Sequence, residues 1–146
     1  MKKNGFTLIE LLVTISIIGV LAALYLFAID GARKSARDSR RKADLESIRS
    51  ALEIYKSDCN YYPTLASPPS GQLVGDNSTT ACSVSNKYLT AFPTDPQSST
   101  RVYSYNRVSS TTYTLCAALE QAPVPARDTT NCSSCASTCN YKVTNP

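Results

Sequence analysis

Three thiols crowd the C-terminal stretch of this chain as Cys132-x-x-Cys135-x-x-x-Cys139, and Cys59, Cys82 and Cys116 precede them. Two kinds of chemistry suit that spacing. Thiolates at such intervals, joined by one from elsewhere, can hold a tetrahedral zinc ion. In an oxidising compartment an even number of thiols closes disulfides instead. A redox-active Cys-x-x-Cys needs a strand before it and a helix start after it, and the Ser- and Thr-rich surroundings signal neither. Disulfides are the preferred reading, because a polar region that buries little apolar surface gains about 2–4 kcal/mol from each bridge. The expected pairing is Cys59 with Cys82, Cys116 with one of the tail cysteines, and the last two with each other, out of about 15 pairings that spacing alone does not sort.

Glu10 is the second group with chemistry to do. From Phe6 to Ile29 it is the only formal charge in 24 residues, a run of roughly 36 Å as a helix and long enough to cross a bilayer core of about 30 Å. An acid inside such a run is costly and marks either a functional group or a local cap. Thr7-Leu8-Ile9-Glu10 fits the S/T-x-x-E capping box, which is the local explanation. The alternative is pairing with a cation when neighbouring helices exclude water and headgroups.

Much else is excluded. The chain has no His and no Trp, which removes His-based triads, His general bases and mixed Cys–His zinc fingers. No catalytic constellation is visible, so neither an enzyme nor a cofactor is expected. The formal charge of +4 comes from the N-terminal half, because acids and bases balance from Asp58 onward.

The elements that must position these groups are three. A basic stub (residues 1–5) precedes a long helix (about 6–57), whose first part, 6–29, is apolar and whose second, 30–57, is amphipathic. A Ser/Thr-rich head (58–146) follows. Leu45, Ile48, Leu52 and Tyr55 recur at i, i+3, i+7 and i+10, an apolar stripe able to pack on the head. Asp58-Cys59-Asn60 before Tyr61-Tyr62-Pro63 ends the helix. Residues 101–106 and 111–118 alternate and read as strands joined around 108–110, after a turn at Phe92-Pro-Thr-Asp-Pro96.

Between Ala32 and Lys42 the stripe lapses and the helix is polar nearly all round. Lys34–Asp38, Arg40–Asp44 and Lys42–Glu46 are spaced as i, i+4 pairs. Arg33, Arg37 and Arg41 lack such a partner and line one face. That face is read as solvated or turned to a neighbouring subunit, with direct DNA contact as the competing reading. The cluster also opposes an N-terminus-in topology by the positive-inside rule, whereas the cysteines place the head outside the cytoplasm.

The stretch Lys2-Lys-Asn-Gly-Phe-Thr-Leu-Ile-Glu-Leu-Leu12 resembles the class III signal of type IV pilins and type II secretion pseudopilins, most specifically over Gly5 to Ala23. The resemblance implies cleavage by a prepilin peptidase after Gly5, N-methylation of Phe6, and a role for Glu10 in seating the subunit, where the new amine of Phe6 on an adjacent copy supplies the cation. It also implies a pilin-like α+β fold, with the long N-terminal helix packed on a small antiparallel β-sheet and a disulfide-tied C-terminal tail. The Asp95 turn followed by Tyr103 and Tyr105 is similar to the segment before the strands of major pseudopilins, which bind calcium in a later acidic loop. Here that region offers only Glu120 and Asp128, too few hard oxygen ligands. The expectation is therefore a type IV pilus subunit assembling as a homo-oligomeric helical filament, served by the peptidase and by inner-membrane assembly machinery. Before assembly it would span the cytoplasmic membrane once with its N-terminus inside, and afterwards lie in an extracellular filament. The alternatives are a type II secretion pseudopilin or a membrane-tethered DNA-uptake receptor using Arg33, Arg37 and Arg41.

Overall fold

The computed structural model describes residues 5–145, so the first four residues of the expected leader lie outside the described residues. One helix, α1 (Leu8–Cys59), is followed by five short strands: β1 (Leu73–Val74), β2 (Lys87–Leu89), β3 (Ser104–Arg107), β4 (Tyr113–Ala117) and β5 (Tyr141–Thr144). The chain divides into two units, Met1–Ala36 and Arg37–Pro146.

Among the described residues of the first unit, α1 has no core of its own. The large apolar side chains from Phe6 to Leu26 are 48% to 83% exposed, far above anything a folded interior allows. The weakly polar residues are satisfied locally: Thr14 donates its hydroxyl to the Leu11 carbonyl (2.9 Å) and Ser16 to that of Leu12 (2.8 Å). Such back-bonding lets a hydroxyl sit in an apolar run without an orphaned donor.

The second unit owes its core to the predicted stripe. Leu45, Ile48, Leu52 and Tyr55 are all buried, and they pack with Tyr62, Leu73, Phe92, Tyr103, Tyr105, Tyr113, Leu115 and Val143. β3, β4 and β5 form an antiparallel meander with β4 in the middle; Ser104 faces Cys116, Arg107 faces Tyr113, and Leu115 faces Val143. All five residues of β4 are buried, as a strand covered on both faces requires. β1 and β2 make a separate two-stranded ribbon. Gly75 ends its first strand where a Cβ would run into the backbone carbonyls of Cys82 and Ser83, a close approach that only glycine tolerates.

A core this rich in tyrosine must place its hydroxyls. Tyr103 donates to Asp44 (2.6 Å), Tyr62 and Tyr113 both donate to Glu53 (2.9 and 3.1 Å), and Tyr105 donates to the Pro63 carbonyl (2.7 Å). Helix acids therefore serve as acceptors for the rings of the sheet and loops. Among the described residues no buried side-chain polar atom is left without a partner. The helix ends at Asn60, whose left-handed backbone (φ 66°) and N–H to the Lys56 carbonyl (2.8 Å) close the last turn.

Candidate functional site

At the N-terminus, Gly5, Phe6 and Thr7 precede the helix in irregular backbone and are exposed, so the Gly5–Phe6 peptide bond is open to solvent. Thr7 then caps α1. Its hydroxyl donates to Glu10 Oε2 at 2.6 Å and its N–H donates to the same oxygen at 2.9 Å, while the Glu10 N–H returns to the Thr7 hydroxyl at 3.3 Å. This reciprocal arrangement is the capping box that the spacing announced. It fixes the acid at the first turn, beside the residue that would carry a new amine after cleavage.

About thirty residues further along the helix the expectation from sequence is corrected. Arg41 is not on a surface: its side chain is completely buried. Its Nε and Nη2 donate to the two oxygens of Asp95 at 2.7 and 2.9 Å, and Nη2 also donates to Gln97 Oε1 at 3.0 Å. Nη1 donates to Asp38 Oδ1 at 2.7 Å and to Glu120 Oε1 at 2.9 Å. Five contacts match the five N–H groups of a guanidinium, whose planar fork suits such carboxylate pairing. Arg37 adds a bidentate pair to Glu120, at 2.6 and 2.7 Å. Asp38 in turn accepts the backbone N–H groups of Glu120 (2.9 Å) and Gln121 (2.8 Å).

The electrostatics follow from these contacts. The hydrogen bonds with Asp95, and behind them those with Glu120 and Asp38, raise the Arg41 pKa against the opposing effect of burial. Arg37 foremost, and Arg41 after it, hold the Glu120 carboxyl down to about 2. Two guanidiniums and three carboxylates leave the cluster one negative charge in excess. This is a clamp that pins residues 95–97 and 120–121 onto the helix, not a face for phosphates.

Of the three arginines singled out, Arg33 is exposed, Arg37 is partly covered by Glu120, and Arg41 is interior. The signal was present in the sequence. Stepping back four residues from Leu45 along the apolar stripe lands on Arg41, and three more on Asp38, so both belong to the buried face. The local ion pairs differ as well: Lys34 pairs with Asp30 at 2.7 Å rather than with Asp38, and Arg40 reaches Asp44 only at 3.9 Å.

The cysteines form the three bridges Cys59–Cys82, Cys116–Cys132 and Cys135–Cys139, the pairing set out above, and among the described residues none is free. With their sulfurs joined, Cys132, Cys135 and Cys139 have no thiolate to offer zinc.

Calcium, which the resemblance implies for the loop after the strands, does not fit the residues present. Ca²⁺ takes about six to eight oxygen ligands. The only side-chain carboxylates after Leu119 are those of Glu120 and Asp128. Both oxygens of Glu120 accept from Arg37, one of them also from Arg41. Asp128 accepts from the Lys142 ammonium and from the Thr130 N–H and hydroxyl. Hydrogen bonds from Lys142 and Thr130 hold the Asp128 carboxyl down to about 2. Cations of the chain itself already occupy the acids a metal would need.

Comparison with known proteins bears on the two filament readings. Residues 1–26 match the model of the prokaryotic N-terminal methylation motif, and residues 28–121 match that of type II secretion system (T2SS), protein G. The type II secretion system core protein G of Escherichia coli is 41% identical over 63 residues, 43% of each chain. That of Aeromonas hydrophila is 38% identical over 63 residues, covering 43% of this chain and 44% of its own. That of Pseudomonas aeruginosa is 32% identical over 102 residues, which cover 65% of this chain and 68% of its own. The chain thus spans less than half the length of the first two relatives. No solved structure matches it. These matches favour the secretion-pseudopilin alternative over the pilus subunit preferred from sequence. That preference rested on the sparse acids of the loop after β4, whereas the protein G match runs through the helix, β3 and β4 and ends at residue 121, before Asp128. With a methylation motif at its head and a matching body that covers more than half its length, this chain belongs to the type II secretion system protein G family.

Proposed function

We propose that the chain is the subunit of a pseudopilus, the short filament of a type II secretion machine. The leader is removed between Gly5 and Phe6, the Phe6 amine is methylated, and the helix then passes from the membrane into a bundle of identical helices. The observation that carries this reading is the bare helix: an apolar run of membrane-crossing length that no described residue of its own unit covers. Such a surface is stable only in lipid or against copies of itself. Stacking by a contact that does not close a ring yields a fibre.

Glu10 supplies register. In the single chain its carboxylate is held by Thr7; in the bundle it exchanges that cap for the Phe6 amine of an adjacent subunit. An unpaired charge buried there costs several kcal/mol, so misaligned subunits are rejected. Before assembly the chain spans the cytoplasmic membrane once with its N-terminus inside, and its partners are the prepilin peptidase and the inner-membrane assembly machinery. A DNA-binding role loses its support, because Arg41 and Arg37 are spent on carboxylates.

The test is N-terminal mass analysis of filaments sheared from cells that overproduce the subunit with its secretion machinery, for the natural chain and for Glu10→Ala. Methylated Phe6 at the start of the natural chain, and loss of filaments for the variant, are the expected results. Filaments built from chains that still begin at Met1, or normal filaments from Glu10→Ala, would refute the proposal.

A further inference from the structure

The 23 residues between β4 and β5 (118–140) contain no helix or strand, and a connection of that length in a small domain requires restraint. We propose that oxidation of thiols supplies the restraint here in place of a divalent cation, so that maturation of this subunit includes dithiol-to-disulfide exchange with an oxidant outside the cytoplasm.

Several observations converge on the loop. Cys116, buried inside β4, is bonded to Cys132. Cys135, also fully buried, is bonded to Cys139. The two bridges and Ala118 form a small core separate from the tyrosine-rich one. Around it the backbone is tied at several points: the Val102 N–H donates to the Cys135 carbonyl (3.0 Å), and the Thr114 hydroxyl donates to the Asn131 carbonyl (2.7 Å). The Asn140 amide brackets both backbone groups of Leu119, at 2.7 and 2.9 Å.

The acids point the same way. Lys142 on β5 donates to Asp128, and the Glu120 carboxylate faces Arg37 and Arg41. A divalent ion would have to displace three cationic side chains to gather two carboxylates, and it would still lack most of its ligands. The loop therefore does with covalent bonds and its own ammonium what a metal does through coordination.

The chemistry balances with one reagent class, a disulfide-bearing oxidant. For each bridge a protein thiolate attacks the oxidant's disulfide, forming a mixed disulfide and releasing one oxidant thiolate. The second protein thiolate then attacks the protein-side sulfur, and the oxidant leaves as a dithiol carrying two electrons and, after protonation, the two thiol protons. Three such exchanges complete the head. The inference needs the head to lie outside the cytoplasm, as the proposed function has it, but it does not depend on which filament the subunit enters.

The decisive measurement is the thermal midpoint of the purified full chain in detergent, compared in millimolar EGTA, in millimolar CaCl₂, and after reduction and alkylation. EGTA and CaCl₂ are expected to move it by less than about 1 °C, and reduction to lower it by more than about 10 °C or to abolish the transition. Because reduction also opens Cys59–Cys82, the double variant Cys135→Ser/Cys139→Ser is measured as well; it should melt lower and remain indifferent to CaCl₂. Stabilisation by CaCl₂ of more than about 1 °C in either protein, a double variant that melts with the natural chain, or a reduced chain as stable as the oxidised one, would overturn the proposal. Filament formation enters none of these readouts, so a failed pseudopilin assignment is recognised separately.

Discussion

Replacing Arg41 with methionine tests the clamp most directly, because the variant keeps the volume of the stem and deletes only the charge and its five donors. The consequences can be followed atom by atom. Asp95, whose side chain is 1% exposed, loses both Arg41 contacts and keeps the Gln97 N–H at 2.7 Å. Asp38 keeps the N–H groups of Glu120 and Gln121, and Glu120 keeps Arg37. The uncompensated charge is therefore chiefly that of Asp95. Removing one member of a buried pair costs about 3–5 kcal/mol, a large part of the roughly 5–15 kcal/mol that stabilises a typical domain. At about 4 °C or more per kcal/mol for a domain of this size, the midpoint should fall by at least about 12 °C. Thermal and urea unfolding of the purified chain, followed by near-ultraviolet circular dichroism of the tyrosines, reads this out. Neutralising the orphan with Asp95→Asn in the same chain should recover part of the loss, with a coupling of about 1–3 kcal/mol. Arg40→Ala is the control. Its contact with Asp44 is 3.9 Å long and 65% of the arginine side chain is exposed, so it should cost less than about 1 kcal/mol. If Arg41→Met were as mild as Arg40→Ala, the burial and pairing reasoning would be wrong.

Two further outcomes follow from the same head. Glu120 is held at about 2, below its ordinary 4.5, so the folded state binds fewer protons than the unfolded one. Its contribution is complete above about pH 4.5 and drains away as pH falls toward 2; acid titrations of the natural chain and Arg37→Gln should differ in that window, and identical curves would contradict the assignment. Gly75→Ala drives a methyl into the Cys82 and Ser83 carbonyls and should cost roughly 1–3 kcal/mol, whereas Gly31→Ala, with open space around it, should be neutral or slightly stabilising; equal midpoints for the two variants would show that the ribbon yields.

Much of the fold was written in local patterns. A 52-residue helix announced itself through an uninterrupted run without proline, and its buried face through the spacing of Leu45, Ile48, Leu52 and Tyr55. The two strands read from alternation are present as β3 and β4, shorter by a few residues at their N-terminal ends. β1, β2 and β5 were missed. At two to four residues each they carry too little periodicity to register, and they exist because a partner strand or ribbon mate lies alongside. The polar stretch from Ala32 to Lys42 misled for a related reason: a buried arginine and a solvated one look alike until their carboxylates are located.

The order of residues alone determined the capping box at Thr7 and Glu10, the membrane-length apolar run behind it, and the even set of thiols, because each depends on neighbours a few positions apart or on composition. Only tertiary structure decided that Arg41 is interior, that Asp95 and Glu120 are its counter-ions 54 and 79 positions away, and that the late acids serve lysine and arginine instead of a metal. A charge can be buried only where opposite charges from distant segments arrive together, and no local pattern records that meeting.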